Sequence, residues 1–325
     1  MTTADDRLNY LDFVVERHRI WEARRRGEAG PWTTDPILAG RKFTNVFRVL
    51  DPGSQFIFEL DDAEADEREV LMRCFLYRHT GRIEAWRHLQ VDLGGFPTVA
   101  ELDAVASSWR EYRGELKFRQ KNTKPYAERA NKAGGFPASK GERPIFTGAY
   151  LVFPQSQVRG TDKVTSILDL TRRLFTPGSP SDVMPAWLGA KTQAERFAAL
   201  RSRPGVGDFM AMQVLTDWGY TRFGEDREND FVVAGPGAVK GATALGFARA
   251  SVAIDWAHST LTSLDECPTL LLPRGASRQP SYMDVQNTLC EWSKHVRLQR
   301  DPKGLRPYKP AHPGPQAAPV LPAHW

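Results

Sequence analysis

The segment Pro204-Gly205-Val206-Gly207 interrupts two helical patterns, and its residue types suit the binding of an anion. Glycines at 205 and 207 carry no side chain, so backbone can come close to a phosphate. Amides at the start of the following helix point outward and carry the positive end of its dipole. Leu200, Val206 and Ala211 are spaced to pack the two flanking helices together. Such a hairpin can grip a DNA backbone; the competing reading is an ordinary helix–turn–helix within a core. Beyond it, Asp230 opens the apolar run Phe231-Val232-Val233 and is a candidate catalytic carboxylate, or else a helix N-cap. Asp226 and Glu228 precede it in an acidic loop and read as solvated. Gly235 to Gly241 resembles a phosphate loop only superficially. Lys240 stands before the second glycine of a Walker-type spacing, and the third glycine of a G-x-G-x-x-G pattern falls one residue late. The segment is expected to open a helix over 241–257, with Lys240 facing an anion and lining the same cleft as Asp230.

The elements that must position these residues are predominantly helical. Residues 8–26 form an amphipathic pattern, with Leu8, Leu11, Val14, Val15 and Ile20 opposite Glu16, Arg17, Arg19, Arg24 and Arg25. Gly27 and Gly30-Pro31 end it. An extended entry over residues 31–36 leads to a helix predicted through Phe43–Leu50. Helices are further predicted over 64–79, 81–91, 98–118, 161–175, 192–201, 207–218 and 281–298. Residues 119–145 form a long basic loop in which Lys121 and Lys124 are candidate DNA contacts. Phe146–Phe153 returns to the core. From Asp301 to Trp325 a proline-rich stretch without apolar periodicity predicts a flexible tail. The expected organisation is a mainly α chain with two closely packed helical lobes over 1–300, followed by that tail.

The chain has 325 residues, 41% of them hydrophobic, enough for one large core or two modest ones. Its net charge of +5 permits nucleic-acid binding without demanding it. Acidic residues gather at Asp61–Glu69, and basic ones at Arg17–Arg26, Arg110–Lys132 and Arg297–Lys309; the clusters are either solvated helix faces or a surface divided by charge. No apolar run approaches the ~20 residues of a membrane span. The polar start, with Asp5 and Asp6, is unlike a secretory signal, so a cytoplasmic protein is expected. The three cysteines have no C-x-x-C spacing, and His18, His79, His88 and His258 have no metal-ligand spacing. Neither a metal nor a cofactor is expected.

An ordered series of motifs carries a family resemblance. It runs through Phe13, Glu16-Arg17, Ile20, Arg24-Arg25 and Gly27, then Pro31-Trp32-Thr33 with Asp35-Pro36-Ile37, then Phe43-Thr44-Asn45-Val46-Phe47-Arg48. Phe146 to Tyr150, the Pro204–Gly207 hairpin, Asp230 to Ala238, and Asp284 through Glu291 to Lys294 complete it. The series resembles the phage thymine-hypermodification branch of the helix-hairpin-helix DNA glycosylase superfamily: the alpha-glutamyl/putrescinyl thymine pyrophosphorylases and the helical domain of 5-hydroxymethyl-deoxyuridine DNA kinases. The resemblance implies an all-helical glycosylase-like fold. It also implies a DNA-modifying transferase acting on phosphorylated 5-hydroxymethyluracil in double-stranded DNA of a phage-infected bacterial cell. An amino acid or polyamine would displace phosphate or pyrophosphate, and a DNA kinase is a possible partner. Asp230 falls where that superfamily places its catalytic aspartate.

Such a reaction needs the base flipped out of the duplex. Trp32, Phe43 and Phe47 are candidates to stack on it or fill its gap, against the alternative of core packing; Asn45 is a candidate to read the uracil edge, and Thr33 joins them as a substrate contact. Arg17, Arg24, Arg25, Arg48 and Lys240 are candidates to neutralise the leaving group. Asp230 or Asp35 would take the proton of the attacking amine. Glu291 and Lys294, with Glu16, are weaker candidates that orient arginines through ion pairs. A base-removing glycosylase, a sugar transferase and a DNA-holding scaffold are the competing functions.

Overall fold

A computed structural model describes residues 3–113, 144–147, 162–301 and 317–325. The chain divides into two compact units: Met1–Gln55 with Gly224–Trp325, and Phe56–Phe223. The fold is mainly α, and the described strands are a two-residue antiparallel pair, β1 (Leu270–Leu271) and β2 (Ser277–Arg278).

The first unit is built on α13 (Tyr282–Arg300), opened by a capping box between Ser281 and Asp284. Helix α1 (Thr3–Arg25) packs along it through aromatic groups. Tyr10 and Phe13 meet the Trp292 ring at 5.9 and 5.3 Å, and the Tyr10 hydroxyl lies 2.6 Å from Thr288 Oγ1. The short α2 (Pro36–Gly40) is capped by Asp35, whose Oδ1 accepts the amides of Ile37 and Leu38. Helices α11 (Pro236–Ala244) and α12 (Ala250–Thr262) close the core with Ala238, Ala242, Ala253 and Ala257 buried.

Three expectations are corrected here. The helix predicted over Phe43–Leu50 is only a single 3-10 turn at Arg48–Leu50. Asn45 diverts the backbone, its amide donating to Asp51 Oδ1 at 2.8 Å and its side-chain Nδ2 to Leu50 O at 2.8 Å. The helix predicted over 241–257 is two helices. Gly246 turns at φ +79°, Phe247 N returns to Ala242 O at 3.0 Å, and Arg7 packs 4.1 Å from the Phe247 ring centroid. The tail is not loose at its end. Val320 exchanges two hydrogen bonds with the Gln55 amide, and Arg278 lies 3.7 Å from the Trp325 ring centroid.

The second unit contains α4 (Glu67–Thr80), α5 (Ile83–Leu93), α6 (Leu102–Tyr112), α7 (Lys163–Phe175), α8 (Met184–Gly189), α9 (Gln193–Arg201) and α10 (Asp208–Gly219). Helix α3 (Pro52–Leu60) spans the boundary between the units. Trp86, Trp109, Trp187 and Trp218 are fully buried in the second unit. Arg78 of α4 forks onto Asp217 of α10, with Nε 2.6 Å from Oδ2 and Nη2 on Oδ1. Arg73 is answered by the carbonyls of Leu60, Phe96 and Pro97 and by Asp62.

Removing one partner of a buried pair leaves a charge without its counterion. Asp217→Leu is expected to lower stability by about 3–5 kcal/mol in urea unfolding, and the double change with Arg78→Met to recover most of it. In the first unit, a Cβ at Gly241 would sit 2.0 Å from Leu289 O, so Gly241→Ala is expected to cost about 2–3 kcal/mol or more in the same measurement.

Candidate functional site

Within the first unit, α1 and the segment 32–45 enclose a pocket with a free volume of about 50 Å³. Its walls include Arg17, Trp21 and Arg24 from α1, then Trp32, Thr33, Leu38, Arg41, Phe43, Thr44 and Asn45. One polar stripe on α13 holds the segment in place. Asn287 Nδ2 donates to Thr44 Oγ1 at 3.1 Å and Asn45 O at 3.3 Å. Glu291 Oε2 accepts Thr44 N at 3.4 Å and Lys294 Nζ at 3.2 Å, and Lys294 also reaches Lys42 O. His295 Nε2 lies 2.9 Å from Asp35 Oδ2. The spacing i, i+4, i+7, i+8 puts all four on one face.

Arg17 is 4% exposed and lines this pocket. Its Nη2 donates to Thr44 O and also meets Thr44 Oγ1 and Asn45 O, both at 3.3 Å. Its Nε and Nη1 are buried without hydrogen-bond partners. Burial pulls its pKa down from the ordinary arginine value, while the charges of Glu291 and Asp51 oppose that shift. Asp51 is itself pushed up to about 6 by burial, with the Asn45 amide and Arg48 working in the opposite direction.

The predicted site residues separate. Arg17, Arg24, Trp32, Thr33 and Asn45 share the pocket, with the Arg24 guanidinium 5.5 Å from the Trp32 centroid. Asn45 spends one amide hydrogen on Leu50 O while its residue still lines the pocket. Arg25 is exposed beside Trp21 at 5.6 Å and is not among the pocket walls. Arg48 is buried, its backbone N on Asp284 Oδ1 at 2.7 Å. Glu16 pairs with Arg19 at 4.0 Å. Phe47 is fully buried, its ring 5.2 Å from His18. Asp35 has both oxygens engaged, by its helix cap and by His295; burial raises its pKa, but these hydrogen bonds bring it net below the ordinary aspartate value.

The Gly235–Gly241 segment is not an open loop. Gly235 caps α11, and side chains at Gly237 and Gly241 would collide with Cys290 Sγ at 2.2 Å and Leu289 O at 2.0 Å. These glycines therefore let α11 press against α13, and Lys240 is exposed on the helix surface. Asp230 ends an exposed turn, its carboxylate 3.7 Å from Arg227. Asp226 and Glu228 are not solvated bystanders: they fork onto Arg278 at 2.7 and 2.9 Å.

In the second unit, α9 and α10 are joined by the turn over 202–207. Leu200, Val206 and Ala211 are buried between them, Gly205 adopts φ +96°, and Gly207 caps α10 with no side-chain bond. A Cβ at Gly207 would meet nothing within 4 Å, so the surface beside the first amides of α10 is open. Arg201 pairs with Asp208 across the turn. The hairpin and Asp230 belong to different units. Lys121 and Lys124 lie outside the described residues.

The sequence pattern missed Arg41, Trp21, Asn287 and His295. The polar stripe on the 281–298 helix carried the signal for the last two. Among the described residues no helix is long and apolar enough to cross a membrane.

The comparisons with known proteins agree with this geometry of a helical chain. The family described as "5-hmdU DNA kinase, helical domain" matches residues 7–304. A 5-hmdU DNA kinase of Bacillus phage SP10 is 25% identical over 252 residues, which cover 71% of this chain and 35% of that protein. The chain thus spans about a third of that relative's length. No solved structure matches. Matched over nearly all of its helical part, this chain belongs to the family of the 5-hmdU DNA kinase helical domain.

Proposed function

We propose that this protein is a DNA base-modifying transferase of the phage thymine-hypermodification type. Its substrate is a phosphorylated 5-hydroxymethyluracil flipped from duplex DNA, and its second substrate an amino acid or polyamine. The family match over 7–304 carries the reading, and the arginine- and tryptophan-lined pocket of the first unit supports it. In the reaction, the amine nitrogen attacks the exocyclic methylene carbon and the carbon–oxygen bond to the phosphoryl group breaks. The departing oxygen keeps the electron pair, and the proton lost from nitrogen passes to a carboxylate. Asp230, exposed and outside any helix cap, takes that role in this proposal; Asp35, with both oxygens engaged, positions the pocket wall instead. The α9–α10 hairpin grips phosphates through its open amides and offsets the cost of flipping.

A second reading follows from the printed activity of the phage relative: the chain presents hydroxymethylated bases to a DNA kinase. Mass analysis of nucleosides separates the two. DNA bearing 5-hydroxymethyluracil, or its phosphorylated form, is incubated with the protein, with and without ATP and an amine pool. An amine adduct on the phosphorylated form is expected. A phosphate gained only when ATP and a 5-hmdU DNA kinase are both added, and gained faster with this protein present, favours the presenting reading, and abundant abasic sites sink both. Asp230→Ala is expected to abolish adduct formation with duplex binding retained. Gly207→Glu, which sets a carboxylate beside the α10 amides, is expected to weaken duplex binding about tenfold in fluorescence anisotropy.

A further inference from the structure

Residues 225–230 carry four carboxylates in six positions, Glu225, Asp226, Glu228 and Asp230. A loop of like charges repels itself unless cations and backbone ties hold it. Arg227 pairs with Glu225 and lies 3.7 Å from Asp230, Asn229 Oδ1 accepts the Tyr282 amide at 2.9 Å, and Arg278 of β2 forks onto Asp226 and Glu228. The Arg278 side chain is only 10% exposed, and the Trp325 ring lies over its guanidinium at 3.7 Å. Burial draws the Arg278 pKa down, but Glu228 and Asp226 more than offset that and leave it above the ordinary arginine value. An aromatic face over a guanidinium adds attraction and shields the ion pairs from water.

Trp325 is brought there by residues 317–325, which have a second anchor. Val320 N donates to Gln55 Oε1 at 2.8 Å, and Gln55 Nε2 donates to Val320 O at 3.0 Å and to Val49 O at 2.7 Å. Between the anchors Pro322 is buried, and its carbonyl accepts Trp325 N at 3.1 Å. His324 lies in the field of the same loop: burial lowers its pKa, while Asp226, Glu225 and Glu228 oppose that shift.

We infer that residues 317–325 are a strap, which clamps the 225–230 loop to the first unit by laying Trp325 on Arg278 and so fixes where Asp230 stands. Arg278 is a positioning residue: it acts through Asp226 and Glu228 on the turn that Asp230 closes, with Asp230 N on Arg227 O at 3.0 Å. The effect on turnover rests on the proposed function, with Asp230 as the base; the clamping does not.

Hydrogen exchange and turnover of the full chain, as wild type, Trp325→Ala and Trp325→Phe, test it. Trp325→Ala removes the cover and keeps Arg278 with its carboxylates. Exchange of the amides in 225–230 is expected to rise about fivefold with 282–300 unchanged, and Trp325→Phe to keep most of the protection. For adduct formation on phosphorylated 5-hydroxymethyluracil DNA, kcat is expected to fall about tenfold in Trp325→Ala with KM within about twofold, and to be largely retained in Trp325→Phe. Unchanged exchange in Trp325→Ala overturns the strap. Raised exchange with an unchanged or higher kcat overturns the positioning role. A wild-type protein that forms no adduct, while the exchange difference holds, leaves the strap standing and defeats the transferase reading alone.

Discussion

A guanidinium withdrawn from water is the constraint around which the first unit is arranged. Removing such a charge from solvent costs several kcal/mol unless nearby oxygens and counterions answer it. For Arg17 the answers come from three places at once: the carbonyls at Thr44 and Asn45, the carboxylate of Glu291 on α13, and Asp51 beyond the 3-10 turn. Helix α1, the 43–51 segment and α13 therefore cannot shift independently without exposing an uncompensated charge. The polar stripe of Asn287, Glu291, Lys294 and His295 continues the same logic along the helix, tying backbone that has no regular ladder of its own.

Two arginines of the second unit make an instructive contrast. Arg73 has four acceptors around it, and Arg78 meets Asp217 fork to carboxylate. Those side chains complete a scaffold. Arg17 is equally buried yet retains two nitrogens with nothing to bind, and it does so at the edge of a cavity. Residue type and burial are the same; the degree of hydrogen-bond satisfaction differs.

Long helical periodicity was legible because a core face imposes it: α1, α4, α7, α9, α10 and α13 lie within a few residues of their predicted spans. The hairpin was legible for a similar reason, since Gly205 must supply a positive φ that other residues rarely adopt. What escaped was set by contacts distant in sequence. Nothing local announces that Gly237 and Gly241 serve a helix about 50 residues later and not a phosphate. His295 was invisible as a site residue because its partner, Asp35, is 260 residues away. Arg17 and Arg24 were identified by type, whereas burial alone separated them from Arg25.

The first unit is discontinuous, interrupted by Phe56–Phe223. Tyr10 finds Thr288 across 278 residues, and Arg17 depends on Glu291, while the second unit is one uninterrupted stretch. During synthesis, which proceeds at about 5–20 residues per second, α1 must therefore leave the ribosome long before α13 exists. Its apolar face, with Tyr10, Phe13 and Val14, has no helix to meet for tens of seconds at that pace. The second unit is free to condense first, and the N-terminal helix joins a structure completed behind it. High contact order of this kind slows folding and lengthens exposure to chaperones and proteases. The pocket, whose 44–45 wall is held by α13, is thus completed only after that helix has been made.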